Sequence, residues 1–229
     1  MTTKTVGVLG GMGPDATVDF MSKVIALTPA DKDQDHIHML VDHNPTVPNR
    51  QDAILGDGED PGPAMAAMAK RLEVAGADFL VIPCNPAYVF QQYIPDAVTI
   101  PLISIIDETI DALPMICSRV GLLATDGCLK ARVYQDALAS RDMRAFEPDA
   151  DDMQELMGLI YAIKAGDMGA AIADTMRALA EELISQGAQA IVAGCTEIPL
   201  VLESSMLNVP LVSSTDVLAE KTVQLAKPE

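Results

Sequence analysis

The chain has 229 residues and a formal net charge of −18, so a nucleic-acid phosphate backbone would be repelled, and nucleic acid is set aside as a partner. Hydrophobic residues make up 49%, enough for substantial cores, but aromatics are only 3%, so Ala, Val, Ile, Leu and Met must fill them. No apolar stretch approaches the roughly 18 residues of a membrane span, no signal-peptide pattern opens the chain, and four cysteines are too few for a disulfide scaffold, so a cytoplasmic protein with free thiols and no membrane partner is expected.

Taken in order, residues 4–9 read as a buried strand, and Gly10-Gly-Met-Gly-Pro14 as a tight glycine loop. A helix is expected from Asp15 to about Leu27, with Pro14 suited to its first turn. Residues 36–42 read as a strand, Asn44 to Arg50 as a loop, and Pro63 to Ala75 as a helix ending at Gly76. The apolar run Phe79-Leu-Val-Ile-Pro-Cys84 has the form of a buried parallel strand that delivers a thiol to the mouth of a sheet. Ile100 to Ser104 reads as a further strand, followed by a helix from about Asp107.

The second half repeats this order. Val6-Gly-Val-Leu-Gly-Gly-Met-Gly13 matches Val120-Gly-Leu-Leu-Ala-Thr-Asp-Gly127 at an offset of 114. Leu72 to Cys84 matches Leu183 to Cys195 at an offset of 111, and Ile100 to Ser104 matches Val209 to Ser213 at an offset of 109. Alternating strands and helices imply an α/β fold with parallel sheets. The expected architecture is two pseudosymmetric lobes, each a parallel sheet with helices on both faces. Lobe 1 comprises residues 1–103 and 212–229 and carries Cys84; lobe 2 comprises residues 104–211 and carries Cys195. Ligands of open parallel sheets bind beyond the carboxyl ends of the strands, so the active site is expected in the cleft between the lobes.

Two thiols on opposite faces of one carbon suit stereochemical inversion. One thiolate removes a proton, the opposite thiol donates one, and the reverse cycle exchanges the roles. Cys117 and Cys128 follow no clear buried strand and read as small packing residues. No Cys-x-x-Cys pair exists for zinc, and His36, His38 and His43 have no carboxylate at clear ligand spacing, so no metal is expected. Gly11-Met-Gly-Pro-Asp-Ala16 fits the weak form of a dinucleotide fingerprint. Pro14 removes a donor there and the repeat segment is not glycine-rich, so no cofactor is expected. The acidic run Glu147 to Asp152 reads as a solvated loop before a helix.

At these motifs the sequence resembles the aspartate/glutamate racemase family, in its aspartate racemase branch. Gly10-Gly-Met-Gly-Pro-Asp-Ala-Thr17, Asn44-Pro-Thr-Val-Pro-Asn-Arg50, Gly58-Glu-Asp-Pro61, Pro83-Cys-Asn85, Ile163-Lys-Ala-Gly166 and Gly194-Cys-Thr-Glu-Ile-Pro199 carry the resemblance, in order, over nearly the whole chain. It implies a cofactor-independent enzyme, commonly a homodimer, in which Cys84 and Cys195 are the acid–base pair acting on a small acidic substrate. Asn85 and Thr196 would hold the α-amino and α-carboxylate end, while Arg50 and Lys164 would meet the distal carboxylate. Met12, Pro86, Thr125 and Glu197 complete the implied substrate-binding set. Glu197 and Tyr88, each close in sequence to a cysteine, are also candidates for tuning thiol acidity, and Glu197 for orienting the turn after it.

Two stretches depart from the family pattern. Cys84-Asn-Pro-Ala-Tyr88 stands where this branch usually reads Cys-Asn-Thr-Ala-His, so Pro86 removes a hydroxyl and a backbone N–H, and Tyr88 replaces an imidazole with a phenol. Cys128 replaces a usual threonine after Gly127. The first expectation is therefore a racemase or epimerase acting on aspartate, glutamate or a related acidic amino acid. Alternatives are a lyase, decarboxylase or cis–trans isomerase using the same cysteines, and a non-catalytic carboxylate-binding protein.

Overall fold

The structure is a computed structural model, and it describes residues 3–228. The elements run β1 (Val6–Gly10), α1 (Pro14–Leu27), β2 (Met39–His43), α2 (Arg50–Leu55), α3 (Gly62–Val74), β3 (Phe79–Val81), α4 (Tyr93–Ala97), α5 (Ile105–Asp111), β4 (Arg119–Leu123), α6 (Asp126–Lys130), α7 (Val133–Ala139), β5 (Arg144–Phe146), α8 (Ala150–Lys164), α9 (Ala170–Ser185), β6 (Ala190–Ala193), β7 (Leu211–Ser213) and α10 (Ser214–Ala226). The chain divides into two compact units, residues 1–108 with 215–229, and residues 109–214.

The first unit holds a parallel sheet in the order β2-β1-β3. Every residue of β1, the central strand, and of β3 is buried. Val6, Val8, Phe20, Val24, Met65, Met68, Leu72 and Leu80 build the core, each at most 3% exposed. The strand expected at 100–104 is only a single parallel bridge, Leu80 to Leu102. Its pairing consists of Pro101 O accepting from Leu80 N at 2.8 Å and Ile103 N donating to Leu80 O at 2.9 Å.

The second unit holds the parallel order β5-β4-β6-β7. Its core gathers Leu156, Ile160 and Ile163 of α8, Met176, Leu179 and Leu183 of α9, and Ile191 of β6. Thus β4 takes the place of β1, β5 of β2, β6 of β3, and β7 of the Leu102 bridge. The acidic run before α8 is more than a solvated loop. Asp149 caps the helix, its carboxylate accepting from the backbone N–H groups of Asp151 at 2.9 Å and Asp152 at 3.0 Å.

The repeat extends to single contacts. A β-carbon on Gly7 would lie 2.7 Å from Leu80 Cδ2, 2.9 Å from Ala77 Cβ and 3.2 Å from Leu72 Cβ. One on Gly121 would lie 2.6 Å from Ile191 Cδ1, 3.1 Å from Leu183 Cβ and 3.3 Å from Ala188 Cβ, the corresponding residues of the second half. Both helices that precede the cysteine strands end alike. Gly76 and Gly187 take φ of +101° and +109°, and Ala77 N and Ala188 N donate back to Leu72 O and Leu183 O.

Candidate functional site

Cys84 lies three residues beyond β3 and Cys195 two residues beyond β6, each past the carboxyl end of a buried parallel strand. Both are free thiols, 4% and 3% exposed. A short 3-10 turn follows each, Pro86–Phe90 and Ile198–Leu200, and a proline sits in its first positions, where no N–H is required.

In the first unit, Cys84 N donates to Ile82 O at 2.8 Å, a tight reversal that lifts the residue off the strand. Asn85 is fully buried. Tyr88 donates its hydroxyl to Ile103 O at 2.6 Å, so it ties the turn to the neighbouring segment. Burial pushes the Tyr88 phenol far above its ordinary range, which fits this neutral donor role. The glycine loop is held by Thr17, whose hydroxyl accepts from Gly11 N at 2.9 Å and donates to Gly13 O at 2.9 Å. Gly11 has φ of +90°, and a β-carbon there would stand 2.4 Å from the Asn44 carbonyl carbon. Only glycine allows that approach, and Met12 is buried beside it.

Arg50 opens α2, which Asn49 caps by accepting from Gln51 N at 3.0 Å. The guanidinium folds back on its own loop, donating from Nη1 to Pro48 O at 3.0 Å and Val47 O at 3.2 Å. Its Nε is buried and unpartnered, and no ion pair to Arg50 occurs among the described residues. Helix α2 packs against the 3-10 turn that follows Cys84 and Asn85.

In the second unit, Gly194 N donates to Leu123 O at 2.8 Å, so β4 and β6 leave the sheet side by side. Thr125 and Cys195 are the next residues out on these two strands. Thr125 caps α6, accepting from Cys128 N at 3.4 Å, and Cys128 is fully buried. Cys195 Sγ donates to Glu197 Oε2 at 3.0 Å, and the Thr196 hydroxyl donates to the same oxygen at 3.3 Å. The other oxygen, Oε1, accepts from Lys164 Nζ. Glu197 occupies the cap position of the following turn, yet its side chain makes no capping bond. Lys164 is the last residue of α8, and Gly166 beyond it takes φ of +92°.

The sequence-derived residues therefore fall into two groups. Met12, Arg50, Cys84, Asn85 and Pro86 lie in the first unit; Thr125, Lys164, Cys195, Thr196 and Glu197 lie in the second. Lys164, Glu197, Thr196 and Cys195 form one hydrogen-bonded chain across 33 residues of sequence. Sequence reasoning did not find the link from Lys164 to Glu197, because nothing local signals it. Burial foremost, and then the Glu197 charge, hold the Cys195 thiol well above its ordinary range, while Lys164 opposes this. Cys195 is thus a neutral thiol at rest.

Comparison with known proteins identifies the family. Residues 9–222 match the family model of the Asp/Glu/Hydantoin racemases. The broad specificity amino-acid racemase RacX of Bacillus subtilis (strain 168) is 32% identical over 222 residues, covering 95% of this chain and 96% of that protein. The Picrophilus torridus aspartate racemase superposes with a TM-score of 0.88 at 28% identity, covering 97% of this chain and 94% of that one. The glutamate racemase of Francisella tularensis subsp. tularensis SCHU S4 shares the fold, with a TM-score of 0.69 at 16% identity over 98% of this chain and 81% of that one. The chain belongs to the Asp/Glu/hydantoin racemase family and is an isomerase acting on amino acids.

Proposed function

We propose that the protein racemises an acidic amino acid without a cofactor, with Cys84 and Cys195 acting on opposite faces of the α-carbon. The observation that carries this reading is the repeat: two buried free thiols stand past the ends of corresponding strands, each followed by a 3-10 turn. In one direction Cys84, as thiolate, takes the α-proton and Cys195 donates its own to the opposite face. The carbon skeleton is unchanged and one proton is gained for one lost. The reverse reaction needs Cys195 as the thiolate and Cys84 as the thiol.

An acidic side chain is favoured by Arg50. Its buried Nε has no acceptor, and a guanidinium fork can grip a carboxylate through two parallel bonds. Asn85, Pro86, Met12, Thr125 and Thr196 would line the α-amino and α-carboxylate end. The test is polarimetry of D- and L-aspartate and D- and L-glutamate with Cys84→Ser and Cys195→Ser. Each variant should keep its fold and lose racemisation by at least about a hundredfold. Retained racemisation in either would refute the two-thiol scheme.

A further inference from the structure

Cys195, Glu197 and Lys164 present a coupling that substrate binding can operate. This inference rests on the racemase reading above and deepens it. Both oxygens of Glu197 are engaged, one by the thiol that must ionise and one by a lysine whose side chain is 38% exposed. Glu197 itself is 4% exposed, so little water reaches it to balance its charge. Lys164 supplies that balance from the last turn of α8, where a long flexible stem reaches in from the solvent side. Tyr134, also close enough to interact with Cys195, is neutral and contributes no charge.

We infer that Lys164 is a substrate-operated latch on Glu197: it holds the carboxylate ionised in the free enzyme and turns to the side-chain carboxylate of a bound acidic amino acid, whereupon Glu197 takes the proton of Cys195. The S–H bond of Cys195 breaks and an O–H bond forms on Glu197 Oε2, leaving a thiolate and a neutral carboxylic acid. Nothing is oxidised or reduced. Withdrawing the ammonium raises the proton affinity of Glu197, which it contacts directly, by more than that of the Cys195 thiol on the far oxygen, so the proton moves toward the carboxylate. The Thr196 hydroxyl, already on the same oxygen, keeps the group oriented. The thiolate so formed can remove an α-proton. An amino acid with a neutral side chain leaves Lys164 where it is, so Cys195 stays a thiol. The latch thereby confers preference for acidic substrates through kcat as well as through KM.

The test follows α-deuterium incorporation into each enantiomer of aspartate and alanine by proton NMR in deuterium oxide, using the full-length chain. The enantiomer served by Cys195 is the one whose exchange Cys195→Ser abolishes and Cys84→Ser spares. Glu197→Gln should slow aspartate exchange from that side by at least about a hundredfold, with the other side slowed less than about threefold. Equal slowing of both enantiomers, or of neither, overturns the latch. Lys164→Met unbalances Glu197 permanently, so alanine exchange from the Cys195 side should rise severalfold while that of aspartate falls. An alanine rate that is unchanged or lower overturns it, and this arm stands even if Glu197→Gln does not fold. If neither cysteine variant abolishes exchange of any enantiomer, the two-thiol reading itself fails; if both do and the Glu197 and Lys164 results go the other way, only the latch fails.

Discussion

The thiol of Cys195 is set by its environment more than by its chemistry. Its proton affinity is raised in the native state, chiefly by burial, so the folded protein holds that proton to higher pH than the unfolded chain does. Stability from this group is complete below the unfolded value of about 8.5 and falls as pH rises above it. Denaturant titrations between pH 7 and 10 should show the native chain losing stability relative to Cys195→Ala; parallel curves would contradict the neutral resting thiol. Tyr88 illustrates the opposite case, a residue close in sequence to the Cys84 thiol whose role is structural. Tyr88→Phe leaves Ile103 O without its donor and should cost about 1–3 kcal/mol in chemical unfolding. The positions of both cysteines past the ends of buried strands were legible in the sequence, because each closes an apolar run and the repeat matches the two runs. The bond from Glu197 to Lys164 was not, since only the packing of α8 brings residues 33 apart together.

Among the elements, the strands next to the cysteines are the most tightly specified. Gly7 and Gly121 admit no side chain, because helix and strand neighbours already fill the place of a β-carbon. Gly7→Ala should destabilise by about 1–3 kcal/mol, and by more than Gly121→Ala, because Ala77 Cβ at 2.9 Å cannot rotate away and Ala188 Cβ is at 3.3 Å. Equal or smaller cost at Gly7, measured by denaturant unfolding, would speak against that packing. Another local tie fixes the end of α3. Glu73 pairs with Lys70 and accepts from Thr99 N at 2.7 Å and Thr99 Oγ1 at 2.8 Å, and Lys70 first, then the Thr99 bonds, hold its carboxyl down at about 2. The stabilisation is present above the unfolded value of about 4.3 and is lost as pH falls from there through about 2. The stability gap between the native chain and Glu73→Gln should therefore close over that interval. Sequence periodicity identified most long helices and central strands. It overstated 100–104, where only Leu102 pairs, and missed β5, whose residues Arg144 to Phe146, one exposed and two half-buried, carry no apolar run.

At the scale of the molecule, the repeat made the fold readable, since matched motifs at nearly constant offset imply matched α/β units. The units divide after Glu108 and Ser214. Tyr134 helps explain the second unit's limits, because its buried hydroxyl bonds both Thr109 and Ser214, where the chain enters and leaves. A net charge of −18 acts on everything, because like charges repel one another throughout the chain. Raising NaCl from about 10 to 200 mM at neutral pH should lift the melting temperature by about 2–4 °C as screening sets in. A fall would show that attractive ion pairs outweigh the self-repulsion.

The central claim is that two thiols divide one inversion between them. The most direct measurement is α-deuterium incorporation into separate D- and L-aspartate by Cys84→Ser and by Cys195→Ser. Each variant should exchange one enantiomer and fail on the other, with the pattern reversed between the two. The same enantiomer surviving in both variants, or both enantiomers surviving in either, would contradict it.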